Sequence, residues 1–477
     1  MEIEVLTGSR DAGGRQFTVF DSEATPADER MLARLAEGTD GAGLAAPPVV
    51  LPDFCHKAKS EMPSSIAVAT AGEIRPALTD AALNCGMALM TLDMERPSAN
   101  AVTDFYRKVA ERFPSPPNWR RELTSADVLR AATEGADFAA ERYGLSEDEI
   151  DHIEERGRLD IDAYGGAQRA ARELPWLVVQ MGRLRFGGIG PSTHFLELQE
   201  VEDILDPVAA AELGIHAGQV TVQFHNGGGV LTGQLGALYA KRKSASRMLR
   251  AEMSVQKPLS HLLTPRSGLK QRLAAYFTEG CPSVPVEGDD GRRALLATRL
   301  AMNYGFAYRM ATYAELRRMA SAAFGATASL VVDSPHNSIY EEEVGGTHAF
   351  VHRHNACRAY PAALMKGHPV FARTGQPILL PGTNRTSSYL CVPEDTARRS
   401  LYTACHGTGS VISAFERSGR SGADPLGRST SRHRYDGSAP ADVPHLDDRG
   451  VDEALGILTG HGLVRPVARM RPFAVLT

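Results

Sequence analysis

Several side chains of this sequence could together hold a metal ion. They are Cys85, His194, His225, His336 and His406, and each follows an apolar run or stands beside small, turn-forming residues. Strand ends next to such turns hold a side chain in place while leaving it accessible. Taken singly, each histidine is an ordinary structural residue. As a set, imidazole nitrogens and a thiolate favour a transition-metal site.

The elements that must position these residues follow two periodicities. Apolar runs predict strands at residues 64–70, 85–92, 176–179, 195–198, 220–224 and 329–332. A hairpin is predicted for residues 1–20, around Gly13 and Gly14. Helical patterns cover residues 28–37, 234–277 and 292–322. Clustered strands and clustered helices predict an α+β fold rather than a regular βαβ alternation.

Two stretches have a different composition. Residues 100–174 are charged and rich in helical pattern, with the proline-broken linker ERFPSPPNWRRE and a capping box from Ser146 to Glu149. We interpret them as a helical insertion whose charges form a solvated face. Residues 416–444 are rich in Arg, Ser, Gly, Asp and Pro. They predict either a mobile surface loop or a disordered lid.

Bulk composition narrows the class of protein. The chain has 477 residues, 43% of them hydrophobic, and a net charge of -5, so no global basic field indicates a nucleic-acid binder. Six cysteines show no CxxC pair. The N-terminus lacks the apolar region of a signal peptide, and no apolar run is long enough to span a bilayer. A reduced, cytoplasmic protein without membrane contact is the simplest expectation.

A series of short motifs resembles one known family from end to end. In order, the motifs are LNCGM, THFLELQEV, His-Asn-Gly-Gly, DSPHN with VHRHNACRA, GQPILLPGTNRTSSY, ACHGTG and VARMRPFAVL. The early LPDFCH is similar to the family's Pro-Asp-x-His stretch, with one extra residue. No single motif is specific, but the ordered series is similar to the RtcB family of RNA ligases over most of the chain.

The resemblance implies both a fold and a reaction. The fold would be a compact α+β single domain, residues 1–477, with a deep metal-containing cleft. The reaction would join an RNA 3′-phosphate, or a 2′,3′-cyclic phosphate after hydrolysis, to a 5′-hydroxyl, with manganese and GTP. A histidine would be guanylylated, and GMP would pass to the RNA before the 5′-hydroxyl displaces it. An archease-type activator is a further possible partner.

The resemblance also implies roles for individual residues. His406 is the implied nucleophile, and Cys85, His225 and His336 would hold one metal. A second metal would lie between Cys85, acting as a bridge, and His194. The implied nucleotide-binding or supporting positions are Glu197, Asn337, Thr383, His406, Gly407, Thr408 and Gly409.

The sequence departs from the family at several implied site positions. Ala82 replaces an aspartate that would bind the second metal, Thr193 an asparagine, and Thr477 a lysine that contacts the nucleotide. Arginine positions have become Ala88 and Ser410, and a His-Ser-Gly-Ser-Arg run has become residues 225–229, HNGGG. Losing phosphate contacts weakens RNA binding steeply, because that affinity is mostly electrostatic.

Three hypotheses therefore remain open from the sequence. The first is an RtcB-type RNA ligase. The second is a metal- and nucleotide-binding relative that has lost ligation or performs another nucleotidyl transfer. The third is a non-catalytic, RNA-associated or regulatory protein. The retained Cys85, His225, His336 and His406 argue against an inert scaffold, whereas Ala82 and Thr477 argue against an ordinary ligase.

Overall fold

A β-hairpin and a capped helix begin the fold. The computed structural model describes residues 5–57, 60–115, 118, 120–190, 194–241, 247–262 and 268–477. Strands β1 (Val5–Ala12) and β2 (Arg15–Ser22) are antiparallel, and Gly13 and Gly14 in their turn both have positive φ. Helix α1 (Glu29–Gly38) begins after Asp28, whose carboxylate accepts from the amide of Arg30 at 2.8 Å. The hairpin is confirmed over its described residues, and the predicted helix at 28–37 is confirmed.

The remaining strands and helices follow along the chain. The strands are β3 (Val49–Val50), β4 (Ile66–Thr70), β5 (Glu73–Ile74), β6 (Gly86–Leu92), β7 (Phe195–Ile204), β8 (Val220–Asn226), β9 (Val284–Pro285), β10 (Ala328–Pro335), β11 (Asn337–Val344), β12 (Thr347–His354), β13 (Ala356–Arg358), β14 (Ile378–Leu380), β15 (Ser388–Pro393), β16 (Thr403–Cys405), β17 (Ser429–His433), β18 (Ala441–Pro444) and β19 (Val464–Leu476). The helices are α2 (Ala99–Arg112), α3 (Ser125–Glu134), α4 (Ala136–Tyr143), α5 (Glu147–Asp151), α6 (Gly166–Glu173), α7 (Trp176–Gly182), α8 (Pro207–Glu212), α9 (Gly229–Leu238), α10 (Arg247–Leu262), α11 (Leu269–Phe277), α12 (Asp289–Phe324), α13 (Gly409–Arg417) and α14 (Arg449–Gly460).

Two large sheets organise the described part of the chain, and two small sheets pair β13 with β16 and β5 with β9. One large sheet has the order β1-β2-β3-β4-β12-β11, and the other the order β10-β6-β8-β7-β19-β15-β14, with β17 beside β19 and β18 beside β17. Every residue of β6 and β8 is buried, because one face of the sheet packs against helices and the other against a second apolar cluster. The mixture of separate sheets and helices confirms the α+β prediction.

Helices α2 to α7 pack around α12. Phe105 and Tyr106 of α2 share a buried cluster with Phe306 and Tyr313 of α12. The predicted capping box of Ser146 is present, and the amide of Glu149 donates to its hydroxyl at 3.2 Å. Among the described helices, none combines the length and the apolar character that crossing a membrane requires.

The structure differs from the sequence prediction in three places. The apolar run at 176–179 lies in helix α7 rather than in a strand, since short apolar runs fit both periodicities. The stretch at 234–277 contains three separate helices, α9, α10 and α11, rather than one long one. Residues 416–444, predicted as a mobile surface loop or a disordered lid, contain the paired strands β17 and β18.

Candidate metal centre and nucleotide loop

Four neighbouring strands bring the predicted metal ligands to one end of the larger sheet. Cys85 directly precedes β6, and His336 directly follows β10, where Pro335 pairs with Gly86. On β8, His225 pairs with Met87 of β6 on one side and with Phe195 of β7 on the other. His194 directly precedes that strand. The pairing therefore gathers side chains that are far apart in sequence.

The ligand atoms lie at contact distance. The thiol sulfur of Cys85 is 3.3 Å from Nε2 of His225 and 3.6 Å from Nε2 of His194. Nε2 of His225 is 3.0 Å from Nε2 of His336. Two groups result, Cys85–His194–His225 and His225–His336–His406, each with its ligand atoms within 4.8 Å of one another. His225 is the residue common to both groups, whereas the sequence prediction made Cys85 the shared ligand.

The donor chemistry of the two groups fits a transition-metal ion. Imidazole nitrogens and a thiol are borderline-to-soft ligands, and Mg²⁺ and Ca²⁺ prefer oxygen instead. Within the described residues, Nδ1 of His336 is buried and makes no hydrogen bond. Burial raises the pKa of the Cys85 thiol to about 12, with an opposing contribution from Arg309. A bound cation would offset that burial, because a coordinating thiol loses its proton outright.

His406 stacks against this cluster. Its ring is 3.6 Å from the ring of His336, centroid to centroid, with 17° between the planes. The register of β13 against β16 sets this placement, because Ala356 pairs with Cys405 and its amide donates to the carbonyl of His336 at 2.9 Å. Burial first, then the charge of Lys57, lowers the pKa of His406 well below its ordinary value. The imidazole is therefore neutral at physiological pH.

Asp53 organises the loop that follows His406. It accepts a hydrogen bond from the amide of Ser410 at 2.7 Å and another from the Ser410 hydroxyl. A Cβ atom at Gly407 would lie 2.7 Å from Oδ2 of Asp53, so a side chain there would displace Asp53. Asp53 lies in the LPDFCH motif but had no predicted role. Ser410 therefore helps to hold this loop in place by its hydrogen bonds to Asp53.

Asn337 links the two halves of the site. Its side-chain amide donates to the carbonyl of Ala82 at 3.2 Å, and its oxygen accepts from the amide of Asn355 at 2.8 Å. The carbonyl of Asn355 in turn accepts from the amide of His406 at 3.3 Å. Asn337 thus holds the segment before Cys85 against the strand end that carries His406.

Hydrogen bonds join the loop of Thr408 to the loop of Thr383, and the amide of Gly382 in that loop donates to the Ser388 hydroxyl at 3.0 Å. The Thr408 hydroxyl donates to the carbonyl of Pro381 at 2.5 Å, and the amide of Thr383 donates to the Thr386 hydroxyl at 2.9 Å. Gly409 begins α13, and a Cβ atom there would meet no atom within 4 Å.

Glu197 lies at the far end of this series of hydrogen bonds. The side-chain amide of Gln199 donates to the Glu197 carboxyl at 3.0 Å and to the Ser388 hydroxyl at 3.3 Å. Burial raises the pKa of Glu197 to about 7, although the bond from Gln199 opposes the shift. Val475, two residues before Thr477, pairs with Glu197 across β7 and β19.

Two of the departures from the family pattern lie in well-defined surroundings. Ala88 is fully buried in the apolar core between β6 and the helices, so a guanidinium at this position would not face a substrate. Ala82 donates its amide to Asp80 at 2.9 Å, and its methyl group offers a metal no ligand. Thr193 lies outside the described residues.

A buried ion pair lies behind Cys85. Arg309 and Asp333 have fully buried side chains, and Arg309 also donates to the carbonyl of Asn84 at 2.5 Å and to its side-chain oxygen at 3.0 Å. Asn84 has a φ of 56°, a left-handed conformation uncommon outside glycine. Arg309 thus fixes the backbone turn from which Cys85 projects. The sequence did not predict this pair, because Arg309 and Asp333 lie 24 residues apart on helix α12 and strand β10 and no local pattern joins them.

The fold and the site define an α+β protein with a buried histidine–cysteine centre and a glycine-containing loop at its edge. Residues 37–477 match the protein-family model described as "tRNA-splicing ligase RtcB". The chain therefore belongs to the RtcB family, which confirms the resemblance seen in the motifs.

Individual relatives agree with the family match. The chain is 29% identical over 431 residues to the tRNA-splicing ligase RtcB of Thermococcus kodakarensis, covering 85% of this chain and 82% of the relative. It is 29% identical over 424 residues to the RNA-splicing ligase RtcB of Mycobacterium tuberculosis, covering 84% and 89%. For the Pyrococcus abyssi tRNA-splicing ligase RtcB, 28% identity extends over 82% of this chain but only 42% of the relative. The chain thus spans less than half of some longer relatives.

Proposed function

We propose that this chain is a metal-dependent RNA ligase that joins a 3′-phosphate or 2′,3′-cyclic phosphate end to a 5′-hydroxyl end. The proposed cofactors are Mn²⁺ and GTP, and the proposed nucleophile is His406. The observation that carries the proposal is the stacking of His406 on His336, at 3.6 Å, beside the histidine–cysteine cluster. The names of the relatives as RNA-splicing ligases support the same reaction class.

In this proposal, Cys85, His194, His225 and His336 would hold the metal ions. When bound, the metals would supply positive charge to neutralise the phosphates of the nucleotide and the RNA. The donor set contains nitrogen and sulfur, and Ala82 offers no carboxylate. Binding of Mn²⁺ therefore needs direct comparison with Zn²⁺ and Co²⁺, because nitrogen and sulfur ligands generally bind those ions more tightly.

The neutral ring of His406 is suited to nucleophilic attack. A ring nitrogen would form a bond to the α-phosphorus of GTP while pyrophosphate leaves. GMP would then pass from the histidine to the RNA 3′-phosphate, and the RNA 5′-hydroxyl would displace GMP as the phosphodiester forms. Gly407 leaves room for a phosphate close to the backbone, since it has no side chain. Thr408 and Gly409 continue the same loop.

Recognition of the nucleotide would fall to the polar residues that lead away from this loop. Thr383 lies in the loop that accepts the Thr408 bond through Pro381, and Glu197 follows beyond Ser388 and Gln199. A buried carboxyl with a pKa of about 7 can accept a hydrogen bond when ionised or donate one when protonated. Asn337 would position the segment that precedes the metal ligand Cys85, and it would not contact the nucleotide.

The decisive experiment is a covalent adduct assay. Protein is incubated with Mn²⁺ and GTP labelled on the α-phosphate, then denatured and tested for bound label, with and without an archease-type activator. We expect an adduct in the wild type, none in His406→Ala although metal stays bound at Cys85, His194 and His225, and none in Cys85→Ala because metal is lost. His445→Ala, which removes a buried histidine outside the cluster, is the matched control and should keep the adduct.

The second candidate function is a relative that keeps the adduct but no longer ligates. Ala82 and the HNGGG run favour it, because both remove groups that would hold metal or phosphate. An adduct without joining of RNA ends would support this candidate. Labelled protein in His406→Ala, or no adduct in the wild type under any metal, would contradict the ligase proposal.

A further inference from the structure

We propose that Arg120, Arg121, Arg183 and Arg185 form an RNA-binding surface, called here the arginine ridge. It rests on the proposed ligase function and adds the place where the RNA backbone would approach the metal centre. Two distant segments meet there. The amide of Arg185 donates to the carbonyl of Arg120 at 3.1 Å, the amide of Glu122 donates to the carbonyl of Arg183 at 2.8 Å, and Arg121 pairs with Leu184.

The ridge carries positive charge that its neighbours do not neutralise. Arg120 and Arg121 are exposed, and no ion pair to any of the four arginines occurs among the described residues. The nearby carboxylates serve other arginines, since Glu122 pairs with Arg112 at 3.2 Å. Residues 114–119, PSPPNW, contain no acidic side chain. In a chain with a net charge of -5, this is a local basic surface.

The ridge connects directly to the metal cluster. The described chain continues from Arg185 to Gly190, and the side-chain amide of Asn226 donates to the carbonyl of Gly188 at 3.1 Å. Asn226 is the neighbour of His225. A Cβ atom at Gly190 would lie 3.0 Å from Nδ1 of His194. The residues that directly follow Arg185 therefore contact the metal cluster and its neighbour.

Arg185 itself has an uncommon backbone conformation. Its φ is 59°, a left-handed value that non-glycine residues seldom adopt and that is frequent at functional sites. Burial raises the pKa of Tyr308, and the charge of Arg185 opposes that shift. The ring of Tyr308 lies 2.8 Å from the position that a Cβ atom at Gly229 would take. Arg183 and Arg185 are partly engaged, because Arg183 donates to Gln180 at 2.6 Å and Arg185 donates to the hydroxyl of Tyr308. Arg120 and Arg121 are exposed and Arg185 has the left-handed backbone, so these three are the side chains to test.

RNA is the partner that fits this chemistry. Guanidinium groups bind phosphate oxygens with paired, planar hydrogen bonds. A strand bound along the ridge would have its end directed to the loop of His194, where the proposed reaction needs an RNA end. The ridge would also compensate for phosphate contacts that the HNGGG segment no longer offers. Binding to an acidic membrane surface would not require the ridge to lie next to the metal cluster, so this arrangement favours RNA.

The test compares two triple variants of the same charge. The ridge variant is Arg120→Gln, Arg121→Gln and Arg185→Gln, and the control is Arg107→Gln, Arg130→Gln and Arg158→Gln, which removes exposed, ion-paired arginines of the same helical segment. The probe is a fluorescent oligoribonucleotide with a 3′-phosphate. We expect the ridge variant to bind it at least about tenfold more weakly and the salt slope to become shallower by about 2, at about 0.7 per lost phosphate contact.

The control variant should keep the wild-type affinity and slope, and both variants should form the wild-type amount of nucleotide adduct. Unchanged RNA affinity in the ridge variant, or an equal loss in the control variant, would overturn the proposal. So would a ridge variant that loses binding only to vesicles of acidic phospholipid. Absence of the adduct in the wild type would instead contradict the proposed ligase function, while the RNA titration would still decide the ridge.

Discussion

Replacement of Arg309 by methionine tests how the turn before Cys85 is held. The guanidinium of Arg309 donates to both carboxylate oxygens of Asp333 and to Asn84, and both members of the ion pair are fully buried. Arg309→Met leaves the carboxylate of Asp333 buried without its partner. Breaking a buried pair in this way costs about 3–5 kcal/mol of unfolding free energy. Urea denaturation of the metal-free protein measures that loss.

Removing both partners should recover most of the loss. Arg309→Met with Asp333→Leu leaves no buried charge, so we expect a protein within about 2 kcal/mol of the wild type. Metal affinity should nevertheless fall about tenfold or more in both variants, because neither holds Asn84 in its left-handed conformation and outer groups of this kind orient metal ligands. Isothermal titration with Zn²⁺ or Mn²⁺ measures this second effect.

A matched pair elsewhere in the chain separates positioning from stability. Arg353 and Glu342 form another buried ion pair, with an N–O distance of 2.6 Å, on β12 and β11 of the other sheet. Arg353→Met should cost a similar free energy of unfolding yet leave the metal affinity unchanged. The reasoning fails if Arg309→Met is within about 1 kcal/mol of the wild type. It also fails if the two single variants lose metal affinity equally.

Three further predictions address the rest of the site. Because burial raises the pKa of Glu197 to about 7, folding favours its protonated form, and the free energy of unfolding falls as pH rises from about 4.5 through about 7. The free energy of unfolding of Glu197→Gln should therefore gain about 3 kcal/mol relative to the wild type between about pH 4.5 and about pH 8. A difference in denaturation that does not change with pH would contradict this. Gly407→Ala should reduce the nucleotide adduct at least about tenfold through its clash with Asp53, whereas Gly409→Ala, with open space around it, should not; equal adducts in the two variants would contradict the reasoning. Ala82→Asp should raise the metal content under limiting Mn²⁺, and equal content by elemental analysis would count against a second metal position.

The sequence predicted which residues form the cluster, but not which of them lie together in each group of ligands. Apolar runs that end in histidine or cysteine indicated strand ends, and the sheet brings Cys85, His194, His225 and His336 to the same end. Which ligands form a group depends on strand order and register, which periodicity does not contain. For that reason His225, rather than Cys85, is common to both groups in the structure.

Other contacts of the site could not be predicted from the sequence, because they join residues that no local pattern connects. Arg309 lies within a helix whose pattern predicts only helix, and nothing local pairs it with Asp333. Asp53 precedes Ser410 by most of the chain, and their contact exists only in the folded protein. The strand predicted at 176–179 was wrong because four apolar residues fit a helix equally well.

The position of β19 has a consequence for how the protein folds. This strand lies between β7 and β15, and Leu476 pairs with Leu196. During synthesis, β6, β8 and β7 can pair as soon as they emerge, but β7 keeps an open edge until residues 464–476 follow. Exposed strand edges invite pairing with other chains, and contacts this distant in sequence form slowly. The sheet of the nascent chain therefore stays incomplete for a long interval, during which a chaperone could bind the exposed edge of β7.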